Sequence, residues 1–206
     1  MMFDLFLSAF VSLFVVVDPI GTSAIFATLL SKSDAAEKKK IAIKAVVIAG
    51  VVVITFAIIG HWLLTYMSVS LSAFRVAGGL LLFVTAFRMI MGFHDPDQLD
   101  SQGSVYKDTS NLAVFPLAIP LLGGPGVMTA ALMYMTESSA PVEYAIVGGT
   151  VILVQLLALF CLLGAGSLSR LFGKTGNGII ARVMGILLAA MAVQFVADGI
   201  KELIAS

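Results

Sequence analysis

Charge is scarce in this sequence. Asp, Glu, Lys and Arg make up 12% of its 206 residues, against about 25% in soluble domains. The 12 basic and 12 acidic residues cancel, and no segment has the basic character of a nucleic-acid-binding domain. Hydrophobic residues make up 60% of the chain, and the mean hydropathy is +1.07. This composition excludes a nucleic-acid partner and indicates an all-α polytopic membrane protein surrounded by the lipid bilayer.

Cysteine and histidine are nearly absent as well. The single cysteine, Cys161, lies in an apolar run and cannot form an intrachain disulfide. His61 stands beside Trp62 near the end of a hydrophobic run, which is typical of anchoring at the membrane interface. His94 precedes Asp95 in a loop rich in turn formers, where acidic side chains are usually solvated. We therefore expect no metal site, no cofactor and no catalytic residue.

Six hydrophobic runs are long enough to cross a bilayer, which takes about 20 apolar residues for each helix. They extend from Phe3 to Leu30, Ile41 to Met67, Leu71 to Gly92, Leu112 to Thr136, Tyr144 to Ser167 and Ile179 to Ile200. The stretches 31–40 and 93–111 are the sizeable polar pieces between them. The sequence therefore predicts six transmembrane helices.

Basic residues predict the orientation, because Lys and Arg near span ends favour the cytoplasmic side. With the N-terminus outside, the outer side carries only Arg75 and Lys201 of the 12 basic residues. The cytoplasmic side then carries the other ten: Lys32, Lys38, Lys39, Lys40, Lys44, Arg88, Lys107, Arg170, Lys174 and Arg182. We expect both termini outside the cytoplasm, in a plasma or inner membrane.

The two halves of the chain resemble each other. Residues 75–81 match residues 182–188 at an offset of 107, and Pro19 matches Pro125 at an offset of 106, although spans two and five show no clear register. Three spans per half would place the halves with opposite topology, as in many secondary transporters. The predicted units are an N-terminal three-helix repeat over 1–92, a cytoplasmic linker over 93–111 and an inverted repeat over 112–206.

Pro and Gly interrupt the first span at 18–21 and the fourth at 123–126. They leave backbone groups unbonded, which is tolerated in a membrane only where protein or a hydrated cavity receives those groups. A single kink would be read as structural. Matched broken helices in both halves instead indicate a binding site near the bilayer midplane.

The residue types at the breaks suit a zwitterion. Asp18 is a favoured N-cap and Pro19 suits the first helical position, so a second half-helix should begin there and present amides to an anion. An ionised acid at mid-span costs about 2.5–3.5 kcal/mol, and a cap returns only about 1 kcal/mol. A hydrated cavity, a substrate ammonium group or protonation of Asp18 could offset the remaining cost. The candidate substrate-binding residues are Asp18, Pro19, Gly21, Thr22, Ser23, Gly123, Gly124, Pro125, Gly126 and Thr129.

Several motifs occur together and in order along the chain. They are residues 18–21 with 25–26, 74–79, 116–120 running into 124–126, and 194–200. In these motifs the sequence resembles the MarC family, which includes archaeal transporters of small neutral amino acids. It departs from the family at Ala24, where a second proline is usual. The resemblance implies six helices with discontinuous first and fourth helices, and transport of glycine- or alanine-sized amino acids.

Together these features predict a secondary transporter for small neutral amino acids, working by alternating access, with a proton as the expected coupling ion. The alternative is a channel-like protein or an efflux permease for other small solutes. An intramembrane enzyme is the weaker rival, since Asp18 has no second midplane aspartate and no Gly-x-Ser-x-Gly motif has a suitably placed histidine. The sequence leaves the oligomeric state open.

The predicted orientation can be tested by cysteine labelling after Cys161 has been replaced. A cysteine at Ser104 should react with an impermeant reagent only from the cytoplasmic side, and one at Ser139 only from outside. The opposite pattern at either position would contradict both the orientation and the inverted repeat.

Overall fold

The computed structural model describes residues 2–30, 33–91 and 113–205. Within these ranges the chain folds into helices joined by short turns. They are α1 Met2–Val17, α2 Pro19–Leu29, α3 Ala35–Tyr66, α4 Leu71–Met91, α5 Ala113–Leu122, α6 Pro125–Glu137, α7 Pro141–Leu163 and α8 Ala165–Ala205. The predicted linker 93–111, with His94, Asp95 and Ser104, lies outside the described residues.

Helix ends follow the capping chemistry of the sequence. The Asp34 side chain caps α3 by accepting a hydrogen bond from the Glu37 amide at 2.7 Å. Glu143 in the first turn of α7 accepts hydrogen bonds from the Ser139 and Ala140 amides, and Pro141 occupies the first helical position. These caps satisfy backbone donors that a helix end otherwise leaves free.

Five described stretches are long and apolar enough to cross a membrane. They are Met2–Ala27, Ala35–Tyr66, Leu71–Met91, Pro141–Leu163 and Arg182–Ala205. The predicted fourth span is not in this set; it is divided into α5, of 10 residues, and α6, of 13 residues. The all-helical membrane fold is confirmed, whereas six spans require α5 and α6 together to cross the bilayer, which stays a prediction.

The connection between the last two spans differs from the one expected. We expected the fifth span to extend to Ser167 and the sixth to begin at Ile179, but α7 ends at Leu163 and α8 begins at Ala165. Backbone hydrogen bonds within a helix are local, so a helix can continue beyond the apolar stretch that buries it. The hydrophobic pattern therefore located the membrane-spanning part of α8 and missed its polar first turns.

Helices α4 and α8 pack closely and run antiparallel. A Cβ added at Gly79 would lie 2.9 Å from the Ala192 carbonyl oxygen, and one at Gly199 would lie 2.8 Å from the Ser72 carbonyl oxygen. The start of α4 therefore meets the end of α8. An inverted repeat requires the third and sixth spans to be antiparallel, as these two helices are.

Arg75 joins three helices at one end of the bundle. Its Nη2 contacts Glu137 Oε1 at 2.8 Å, and its Nη1 contacts Glu202 Oε1. The Arg75 side chain is only 8% exposed. The two ion pairs attach the last residue of α6 and the final turns of α8 to the first turns of α4.

Leucine at Gly79 should destabilise the protein, since its side chain would meet the backbone of α8. Inserting extra atoms into a well-packed contact typically costs about 1–3 kcal/mol. Leucine at Gly149 is the matched control, because no described atom lies within 4 Å of a Cβ built there. The thermal midpoint of the purified protein should fall for Gly79→Leu only. Equal midpoints in the two variants would contradict the close α4–α8 contact.

Candidate functional site

Asp18 alone separates α1 from α2. Its amide donates to the Phe14 carbonyl at 3.0 Å, and its carbonyl accepts from the Thr22 amide at 2.9 Å, so helical bonding reaches the break from both sides. Its φ is 44°, in the left-handed region. Asp is one of the few residues other than Gly that adopt this conformation with some ease. The predicted break in the first span is confirmed and is one residue wide.

The Asp18 carboxylate folds back over α2. Its Oδ1 accepts a hydrogen bond from the Gly21 amide at 3.1 Å, and the residue is 7% exposed. A Cβ at Gly21 would overlap Asp18 Oδ2, so only glycine leaves room for this arrangement. The predicted N-cap is confirmed. Fewer amides are free at this end than expected, because Pro19 has no N–H and the Gly21 amide is already bonded to the protein's own carboxylate.

The hydroxyl groups of the two residues that follow Gly21 also donate hydrogen bonds to the backbone. Thr22 donates its hydroxyl proton to the Val17 carbonyl at 3.2 Å, and Ser23 donates to the Ile20 carbonyl at 2.7 Å. Both residues are buried. A hydroxyl has one proton to donate but two lone pairs. In this arrangement Thr22 and Ser23 can accept from a ligand N–H and cannot donate to a carboxylate.

The second break lies at Gly123 and Gly124. The Gly123 amide donates to the Ala118 carbonyl at 2.9 Å, the five-residue spacing of the π-helical α5. The first backbone hydrogen bond of α6 runs from the Met128 amide to the Gly124 carbonyl, at 3.0 Å. Gly124 is extended, with φ −70° and ψ 174°, which lets the chain leave α5 and start α6.

The start of α6 has no side-chain cap within the described part of the chain. Pro125 occupies the first helical position, and the amides of Gly126 and Val127 precede the first bond of the helix. Uncapped amides and the positive end of the helix dipole favour an anion. The two breaks thus differ, since the first is capped by an acid and the second is not capped by a side chain.

The structure brings the two breaks together. A Cβ at Gly126 would lie 3.5 Å from Val16 Cγ1, two residues before Asp18. Further along, the Ser12 and Tyr134 hydroxyls are hydrogen-bonded at 2.8 Å. These contacts show that α1 and α6 are antiparallel, so the start of α6 lies beside the end of α1. The first turns of α2 and α6 therefore flank one region inside the bundle.

Two predicted site residues instead face α4. A Cβ at Gly126 would overlap the Leu82 side chain, and Thr129 packs over Gly78. Thr129 is fully buried and donates its hydroxyl to the Pro125 carbonyl at 2.8 Å. The Leu82 side chain therefore occupies the space beside the Gly126 Cα.

Sequence reasoning left Gln155 out of the candidate residues. It lies in α7, is 4% exposed, and donates from Nε2 to the Leu122 carbonyl at 2.9 Å, just before the second break. The available signal was a lone amide within the apolar run of α7. A lone amide in an apolar helix favours an interhelical hydrogen bond, and the structure confirms one here, although its partner at the end of α5 depends on tertiary packing.

The model of the MarC family integral membrane protein matches residues 3–204. The chain belongs to the MarC family. A UPF0056 membrane protein of Archaeoglobus fulgidus is 32% identical, with 98% of this chain and 94% of that protein aligned. The YvbG protein of Bacillus subtilis, also named a UPF0056 membrane protein, is 33% identical over 98% of this chain and 96% of its own length. No solved structure matches this MarC protein.

A double-mutant cycle tests the contact between Asp18 and Gly21. Gly21→Ala should destabilise the protein because its methyl group would displace the Asp18 carboxylate. In an Asp18→Gly background, glycine accepts the positive φ and no carboxylate remains to be displaced. Gly21→Ala should then cost much less, with a coupling free energy of about 1–3 kcal/mol in unfolding experiments. Additive effects of the two changes would contradict the contact.

Proposed function

We propose that this MarC protein is a secondary transporter of small neutral amino acids of glycine or alanine size, working by alternating access between its halves. The observation that carries the proposal is the adjacency of two broken helices, one capped by an acid and the other uncapped by a side chain. A pair of this kind offers one place for a cation and one for an anion. An amino acid zwitterion has both charges close together.

In this proposal the substrate carboxylate binds the uncapped start of α6. The Gly126 and Val127 amides are the donors, and the helix dipole adds to their attraction. The α-ammonium group then lies towards Asp18 and the lone pairs of Thr22 and Ser23. Leu82 leaves no room for a Cβ at Gly126, and this crowding favours a substrate with a very small side chain.

Asp18 has two possible tasks within this proposal. It either pairs with the substrate ammonium or carries the coupling proton. Both are supported by its burial and by the hydrogen bonding of its carboxylate, which accepts from one amide among the described residues. A buried carboxylate with so little compensation favours a cation or a proton beside it. We therefore propose a proton as the coupling ion.

The proposed arrangement in the membrane is based on the distribution of basic residues between its two sides. The α5–α6 pair forms the fourth of six spans, the halves form an inverted repeat, and both termini lie outside the cytoplasm in a plasma or inner membrane. The antiparallel α4–α8 and α1–α6 pairs support it.

A channel is the second candidate, because channels also use helix ends near the midplane. The packing at the breaks favours a carrier. Asp18, Thr22, Ser23 and Thr129 are all buried, and Leu82 lies against Gly126, so the breaks border no open pore through the described residues. An efflux permease for another small solute would use the same architecture with a different ligand.

Transport by the purified protein in liposomes tests the proposal. Glycine or alanine uptake should saturate, and an inward proton gradient should drive accumulation above the outside concentration. A panel of larger and charged amino acids should be rejected. Uptake that only equilibrates and does not saturate would instead establish the channel, and the absence of any amino acid flux would refute the proposal.

The Asp18→Asn variant distinguishes a role of Asp18 in transport from a role in helix capping alone. Asn keeps the cap and tolerates positive φ, but it loses the charge and the titratable proton. Concentrative uptake of alanine should fall to background while the protein stays monodisperse. If Asp18 serves coupling alone, exchange of alanine across the membrane should persist.

Asp198→Asn is the matched control, since Asp198 lies on α8 and accepts from the Gln194 side chain on the same helix. It should accumulate alanine as the wild type does. Wild-type accumulation by Asp18→Asn, with an unchanged pH dependence, would reduce Asp18 to a structural cap.

A further inference from the structure

Gln155 carries a buried acceptor that no described residue bonds. Its Nε2 donates to the Leu122 carbonyl at 2.9 Å, while no partner for its Oε1 exists among the residues that the structure describes. The residue is 4% exposed, so bulk water does not reach this oxygen. Buried side-chain oxygens in folded proteins are nearly always hydrogen-bonded. The Gln155 oxygen therefore lacks a donor within the described part of the chain and is available to a bound ligand.

The orientation of this amide follows from its partner. A backbone carbonyl only accepts hydrogen bonds, so the NH₂ group of Gln155 must face Leu122 and the oxygen must face away. The helix around it is held firmly, since the neighbouring Val151, Val154 and Ala158 are all buried. Gln155 thus presents a fixed acceptor rather than an adaptable one.

The amide lies beside the second break. Leu122 is the last residue of α5 and directly precedes Gly123. A Cβ at Gly123 would lie 3.1 Å from Ala49 Cα, and one at the adjacent Gly50 would lie 3.9 Å from Gln155 Cγ. The α3 helix therefore contacts the break and the Gln155 side chain through consecutive residues. An uncapped helix start and an unused buried acceptor occur in the same part of the bundle.

We propose that Gln155 Oε1 accepts a hydrogen bond from the α-ammonium group of the substrate and selects amino acids over carboxylates of the same size. This inference rests on the proposed transport function and names the residue that determines its specificity. The start of α6 binds any small carboxylate equally well. Only a ligand that also carries an N–H donor satisfies Gln155, so propionate is rejected although it matches alanine in size.

The test compares alanine with propionate, which lacks the amino group. The affinity of each is taken from the rise in thermal midpoint with ligand concentration, using purified full-length protein in lipid nanodiscs. The wild type should prefer alanine. Gln155→Met keeps the length of the side chain but removes the acceptor, and it should lower the alanine-to-propionate affinity ratio by about tenfold to a hundredfold.

Gln194→Met is the matched control, because Gln194 is exposed on α8 and donates to Asp198 four residues on. Its ratio should equal that of the wild type. If Gln155→Met is not monodisperse, Gln155→Asn replaces it, since it keeps an amide but withdraws the oxygen by one methylene. The same fall in the ratio is expected.

The outcomes separate this inference from the function on which it rests. An unchanged ratio in a folded Gln155 variant, as for an acceptor occupied by a bound water, overturns the inference and leaves the transport proposal standing. A parallel loss of alanine and propionate binding assigns Gln155 a structural role and also overturns it. A wild type that binds no alanine refutes the proposed function and the inference with it.

Discussion

The hydrogen bond from the Gly21 amide to the Asp18 carboxylate is the contact on which the first break depends. Proline at position 19 removes one backbone donor, and the positive φ of Asp18 turns the chain between the two helices. The carboxylate then takes the place of the missing helical acceptor, and Gly21 leaves room for it. Without this arrangement the Gly21 amide would be left unbonded at the start of α2. The Asp18 carboxylate is thus the anion at the first break, whereas the start of α6 has no side-chain cap within the described residues.

The bundle contains one closely packed helix pair and two helix pairs whose backbone hydrogen bonding is interrupted. The α4–α8 pair is joined through glycines against backbone carbonyls, and Arg75 attaches both helices to the end of α6. The breaks lie on α1–α2 and α5–α6, where single residues and uncapped ends interrupt the helical bonding. Backbone groups at such interruptions can change partners without the loss of a long helix. This division suits a carrier, whose binding region must rearrange while its frame persists.

The sequence was sufficient for the features that depend on local chemistry. Asp before Pro predicted the cap and the start of α2, and Gly-Gly-Pro-Gly predicted the division of the fourth span. Contacts between distant residues could not be read in the same way. Leu82 beside Gly126, and Glu137 and Glu202 around Arg75, depend on how helices pack. Their signals were indirect: Arg75 was a rare basic residue on the outer side, and Gln155 a rare amide in an apolar run.

The central claim is that the second break binds the substrate carboxylate while Asp18 keeps the first break capped. The most direct measurement is an experimental structure of the protein with alanine bound. The account predicts the alanine carboxylate within hydrogen-bond distance, about 3 Å, of the Gly126 or Val127 amide nitrogen, with Asp18 still bonded to Gly21. Alanine bound elsewhere, or a carboxylate that has displaced Asp18 from the Gly21 amide, would contradict it.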